Sequence, residues 1–222
     1  MTAMSILITD KPYSICAIDI GSPKLGNIGW CLIDVHCNSK KTGTSLDELI
    51  PHISKTIRKS GLLLGLEAPL FVPMRNDLML ATKGRNGEGR RPWSAGAGAQ
   101  VLAMNIPIMT YLFRKIKFYD PDVDILIDPK RFAPKERQVL LFEALVSGID
   151  KGNSHVDDAQ IMTNYCLKYS KKSQLPPSIL KHEEDTSYFN LAAASLLRCG
   201  LTKDVSLMEK TSPIYKPSPG GF

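Results

Sequence analysis

Ile15-Cys16-Ala17-Ile18-Asp19-Ile20-Gly21 places one carboxylate inside a run that is otherwise apolar and rich in β-branched residues. The run from Ile15 to Ile20 reads as a strand stopped by Gly21. A charge in such a setting has to be paired or metal-bound, because taking it out of water without compensation is costly. Leu62-Leu63-Leu64-Gly65-Leu66-Glu67 repeats the pattern and is closed by Ala68-Pro69. Its continuous apolarity is that of a strand buried on both faces. If these two strands are adjacent and parallel, Asp19 and Glu67 emerge at the same sheet edge, where ligands of parallel sheets bind. Two carboxylates there repel each other unless a divalent cation holds them. Magnesium suits such a hard oxygen site and keeps waters for substrate phosphates.

Working outward, Ile28 to Val35 reads as a second strand. The turn formers Gly-Ser-Pro-Lys-Leu-Gly-Asn between the two make a β-hairpin with a wide loop. His36 to Thr44 is polar and fits either a short third strand or a loop. Ser45 to Ser60 has the pattern of a helix, with Leu46, Leu49, Ile53 and Ile57 at helical spacing, Ser45 and Glu48 forming a capping box, and Gly61 as the stop. Phe71 to Trp93 is irregular, and its basic, glycine-rich centre from Lys83 to Arg91 is expected to be a mobile loop. Ser94 to Lys117 reads as a helix with small residues first and a kink at Pro107. Val123 to Ile127 is a candidate strand, and Gln138 to Val146 fits strand or helix equally. Ser154 to Tyr169 and Asp185 to Cys199 are the expected last helices, separated by a Pro176-Pro177 linker. This order predicts a mixed α/β sheet, hairpin strands plus parallel strands, covered by helices. The domain is expected over 15–202, after an N-terminal extension of 1–14. The segment 203–222, ending in Pro, Ser and Gly, is expected to be a disordered tail.

The third acidic candidate lies in Ser154-His155-Val156-Asp157-Asp158-Ala159. Asp158 shares a helical face with Ile161, Met162, Tyr165 and Tyr169, so it should point toward the sheet. Asp157 turns away and is the better residue for the helix dipole. A rival is Asp185, in Glu183-Glu184-Asp185, which shares a face with Phe189, Ala192 and Leu196. In the basic loop, Lys83, Arg85, Arg90 and Arg91 stand next to Trp93, a combination of phosphate-binding charge and stacking surface used by single-strand binders.

Together these elements resemble the ribonuclease H-like superfamily: Asp on the first strand with a hairpin after it, Glu ending a later strand, and a late His-x-x-Asp-Ala helix. That helix is similar to the closing helix of RuvC-type junction resolvases. Ala17-Ile-Asp-Ile-Gly21, Leu66-Glu-Ala-Pro69 and His155-Val-Asp-Asp-Ala159 look still more like an uncharacterised bacterial group of predicted nucleases in that superfamily. The resemblance covers Ile15 to Gly200. It implies a two-metal site for Mg2+ or Mn2+ that cleaves phosphodiester bonds in DNA or RNA. Asp19, Glu67 and Asp158 would be the ligands, with Asp185 as the rival third acid and His155 handling protons or orienting a ligand.

Composition bounds this reading without deciding it. Hydrophobic residues are 43% and charged residues 23% of the 222, the balance of an ordinary globular chain. The net charge of +6 suits an anionic partner, but many basic proteins bind none. The five cysteines show no metal-finger spacing and no even pairing, which fits a reducing compartment. With no signal peptide and no membrane-spanning stretch in the sequence, a cytoplasmic location is expected.

Each candidate also has a plainer role. Asp19 could bond the hairpin turn, Glu67 could pair with an arginine of the following loop, and the acids at 157, 158 and 183–185 could serve helix starts. Glu143 fits either a site residue or a buried ion pair. Three functions compete: a metal-dependent nuclease, a catalytically inactive ribonuclease H-like module that binds nucleic acid or a protein, and a sugar-kinase-like phosphotransferase suggested by Asp19-Ile-Gly-Ser. The third lacks a second phosphate loop.

Overall fold

The computed structural model describes residues 11–89, 92–146 and 151–217. In chain order they form β1 (Ser14–Asp19), β2 (Gly29–Asp34), β3 (Ser39–Gly43), α1 (Leu46–Ile57), β4 (Leu62–Glu67) and β5 (Phe71–Arg75). These are followed by α2 (Ala97–Tyr119), β6 (Asp124–Leu126), β7 (Gln138–Ala144), α3 (His155–Ser170), β8 (Thr186–Asn190), α4 (Leu191–Arg198) and β9 (Ile214–Tyr215). The main sheet has the order β3-β2-β1-β4-β7-β6, and β9 also pairs with β7. β1, β2 and β3 are antiparallel neighbours, whereas β1, β4, β7 and β6 run parallel. The fold class is therefore α/β with a mixed sheet, as the hairpin and the apolar runs predict.

Alternation along the strands assigns each side chain to a layer. Cys16 and Ile18 of β1, Leu62, Leu64 and Leu66 of β4, and Val139 and Leu141 of β7 pack in one cluster with α1, α2 and α4. Ile15, Ala17, Leu63, Leu140 and Phe142 pack in a second cluster with Ala159, Met162 and Cys166 of α3. Asp19 and Glu67 continue the second set by alternation, so α3 covers the face on which they emerge. Glu143 continues the first set and belongs to the opposite face. The polar stretch after β2 resolves as a strand, and Gln138 to Val146 resolves as strand β7.

Several expectations are corrected. The capping box at Ser45 is not formed; its side chain makes no cap bond, and its carbonyl accepts from Leu49 N (3.2 Å) and Trp30 Nε1 (2.9 Å). The irregular stretch after Pro69 contains β5, which pairs antiparallel with β8 in a second, two-stranded sheet. The single helix expected over Asp185 to Cys199 is strand β8 followed by α4. Asp185 has φ 52, a left-handed turn conformation incompatible with a helix interior, and the Asn190 side chain caps α4 by accepting from Ala193 N at 2.9 Å. The tail expected to be disordered is ordered as far as it is described. β6 covers only Gln138 to Leu140, and Ile214 and Tyr215 pair with the remaining edge of β7 at Glu143 and Ala144, both side chains buried. The sheet thus draws on residues beyond the expected domain end at 202. Residues 1–10 of the N-terminal extension lie outside the described part. Among the described residues no helix is long and apolar enough to cross a membrane.

Candidate metal centre

β1 and β4 pair in parallel with Asp19 opposite Glu67, so both carboxylates leave the sheet at the same level. The first turn of α3 supplies the third. Ser154 caps the helix: its Oγ accepts from Asp157 N at 3.2 Å and donates to Asp157 Oδ2 at 2.9 Å. Asp157 is thereby committed to the helix end. One residue on, Asp158 is rotated toward the sheet and is 4% exposed. One oxygen each from Asp19, Glu67 and Asp158 all lie within 4.8 Å of one another. His155, on the same turn, brings Nδ1 to 2.6 Å from Asp19 Oδ2, where its N–H can donate to the carboxylate.

Three residues that shape this site were not among the candidates. Lys151 Nζ lies 3.1 Å from Asp158 Oδ2 and 3.6 Å from Glu67 Oε1. The next residue, Gly152, donates its backbone N–H to Asp158 Oδ1 at 2.6 Å. Lys151 has no periodicity or motif around it; only the fold brings it here. Gly29 faces Asp19 across the hairpin, and a methyl group there would overlap the His155 and Val156 backbone. A glycine inside a strand marks such a close backbone approach, and that signal was readable in Ile28-Gly29-Trp30. Gly29→Ala is therefore expected to push the start of α3 off β2. Overpacking of this kind costs about 1–3 kcal/mol. Urea unfolding should show that loss, and the manganese affinity of the variant should fall with it, since His155 and Asp158 move away from Asp19.

Burial raises the Asp19 carboxyl above the ordinary aspartate range, opposed by His155 and Lys151 and reinforced by Asp158. Burial, then the Asp19 charge, holds Glu67 well above the ordinary glutamate range, with Lys151 opposing. For Lys151 burial disfavours the ammonium, but Glu67 and Asp158 outweigh it and raise its pKa. Burial, with the acids' mutual repulsion, thus disfavours the ionised forms of Asp19 and Glu67 within this cluster. Its donors are three carboxylates, the hard oxygen set that suits magnesium or manganese better than a softer metal.

Asp19 and Glu67, with Lys151 and His155, line one side of a cavity of about 740 Å³ beyond the strand ends. Leu25, Trp93, Val101 and Met104 form part of its apolar wall. The Trp93 ring is half-buried there, with its Nε1 buried and without a hydrogen-bond partner among the described residues.

Among the residues expected to bind nucleic acid, Arg85 is corrected. Arg85 is 3% exposed and is not a phosphate contact. Its Nη2 lies 2.6 Å from Glu143 Oε1 and 2.8 Å from Glu88 Oε1, and its guanidinium stacks 4.7 Å from the Phe71 ring centre. Burying an arginine requires such partners, and they turn the expected mobile loop inward. Glu143 takes the buried-pair alternative. Lys83 is exposed, and its carbonyl accepts from Arg75. Arg90 and Arg91 lie outside the described residues. Asp185 is exposed in the turn before β8 and is not part of the acid cluster. Its neighbour Glu183 pairs with Arg75 Nη2 at 2.9 Å. Comparison with protein-family models, with curated proteins and with solved structures finds no match to this chain.

Proposed function

We propose that the chain is a ribonuclease H-like, metal-dependent nuclease. The observation that carries this reading is the convergence of Asp19, Glu67 and Asp158, from two adjacent parallel strands and a covering helix, within 4.8 Å beside a cavity. Ligand sites of parallel sheets lie beyond the carboxyl ends of their strands, where this cluster lies. Magnesium or manganese held there would supply the Lewis acid that activates a water and stabilises the leaving oxygen of a phosphodiester.

The chain's own groups divide the remaining work. Asp19, Glu67 and Asp158 would hold the ions together, with one oxygen of each within 4.8 Å of the others. His155 orients Asp19 through Nδ1 and keeps Nε2 to pass a proton. The apolar wall with Trp93 offers a stacking surface for a base. Its phosphates would have to be drawn in by the bound cations, because the acids would otherwise repel them. A cytoplasmic setting belongs to the same reading, with all five cysteines free and three of them buried.

Asp157 and Asp158 test the assignment side by side. Asp158→Asn should lower manganese-dependent cleavage of an oligonucleotide or of bis(p-nitrophenyl) phosphate by at least about a hundredfold, more than the loss typical of groups outside the ligand set. Asp157→Asn should stay within a few-fold of the parent and lose about 1 kcal/mol of stability from the altered cap. Equal activity in the two variants contradicts the inward role of Asp158. The second reading, an inactive binding module, is favoured by one observation: Lys151 already bridges two of the acids.

A further inference from the structure

Lys151 is the sole cation within ion-pair distance of Glu67 and Asp158 among the described residues, and it reaches one oxygen of each of these two acids of the cluster. Lys151 and Gly152 together engage both oxygens of Asp158. The Gly152 N–H holds Oδ1 at 2.6 Å and the ammonium holds Oδ2 at 3.1 Å. The backbone bond to Oδ1 is compatible with a metal on Oδ2. The ammonium is not, because two cations at that spacing repel strongly in a partly buried site. The lysine stem has a way out: its side chain is 43% exposed, against 5% for Asp158 and 14% for Glu67. A flexible four-carbon stem can carry the charge from the acids into the solvent while the acids stay fixed.

We infer that Lys151 is an internal counter-cation of the acid cluster, seated at the metal position, and that a divalent ion binds by displacing it. The inference rests on the proposed metal site and adds its regulation. A ligand that binds only the conformers with Lys151 swung away has its affinity reduced by the fraction of such conformers. The lysine therefore sets the divalent concentration at which the site loads, and it keeps the three acids from repelling one another below that concentration.

The test is calorimetric titration of the full chain with manganese chloride, comparing the parent protein, Lys151→Met and Asp19→Asn. Lys151→Met is expected to bind manganese about tenfold tighter or better, as expected if the lysine is seated about nine-tenths of the time. Asp19→Asn is expected to lose binding. Equal or weaker binding by a folded Lys151→Met, with the parent binding, overturns the counter-cation and leaves the metal site standing. No binding by the parent or by Lys151→Met removes the metal site itself, and this inference with it. A second measurement needs no variant. Acetylation of the Lys151 amine by acetic anhydride, followed by mass spectrometry of the parent protein, should speed up several-fold when manganese is added. An unchanged rate under saturating manganese overturns the displacement even if Lys151→Met fails to fold.

Discussion

Asp19→Asn is expected to abolish manganese binding and manganese-dependent cleavage, with a loss of at least about a hundredfold, more than is typical of groups that only support a metal ligand. Asp19 offers an oxygen within 4.8 Å of the other two acids and is bonded by His155 at 2.6 Å, and the amide keeps the shape of the carboxylate while losing its charge. The same substitution should make the protein more stable in a chelator. Burial raises the Asp19 pKa above the ordinary aspartate range. Such a group contributes stability that is complete below the ordinary range and is lost as the pH rises through the raised value. The asparagine variant suffers no such loss. Its melting temperature should therefore exceed that of the parent at neutral pH, and the gap should close on acidification. A variant that loses activity because it is less stable at neutral pH would contradict this account.

Arg85→Met carries the largest expected loss of stability. The arginine side chain is 1% exposed, and its partners Glu88 and Glu143 are 2% and 3% exposed. Arg85 Nη1 also bonds Glu143 Oε2 at 2.8 Å and the Phe71 carbonyl at 3.2 Å, while Glu143 Oε2 accepts from Leu70 N at 3.1 Å. This network holds the segment after β5 against the end of β7. Removing the guanidinium leaves two carboxylates buried without their cation, a change worth about 3–5 kcal/mol. Urea denaturation should show a midpoint lowered accordingly. The combined replacement Arg85→Met, Glu88→Gln, Glu143→Gln should recover much of the loss, because it removes the uncompensated charges as well as the pair. If Arg85→Met instead weakened nucleic-acid binding at unchanged stability, the buried network would be the wrong description.

The parts of this fold that could be read from sequence are those whose signal is local. β1 and β4 are apolar runs with one carboxylate at the end, and that anomaly is visible in seven or six consecutive residues. Asp158 could be told from Asp157 because helical spacing assigns the two to different faces. β5 was hidden by Pro73, which is tolerated because among the described residues β5 pairs only with β8 and can turn its proline to the free edge. β8 was hidden because Phe189, Ala192 and Leu196 mimic helical spacing across a strand–helix junction with no turn between them. Arg85 looked solvated because its neighbours are glycine and charge. Its burial depends on Glu143, 58 residues away, which no local pattern announces. Lys151 belongs to the same class: its partners Glu67 and Asp158 meet only through the sheet register and the packing of α3.

The metal centre is tested most directly by diffraction from crystals of the full chain soaked in manganese, collected to locate the anomalous signal of the ion. The account predicts a peak bonded to carboxylate oxygens of Asp19, Glu67 and Asp158, with Lys151 withdrawn from Asp158 Oδ2. A manganese-soaked crystal with no peak at these three residues, and with Lys151 still bridging Glu67 and Asp158, would contradict it.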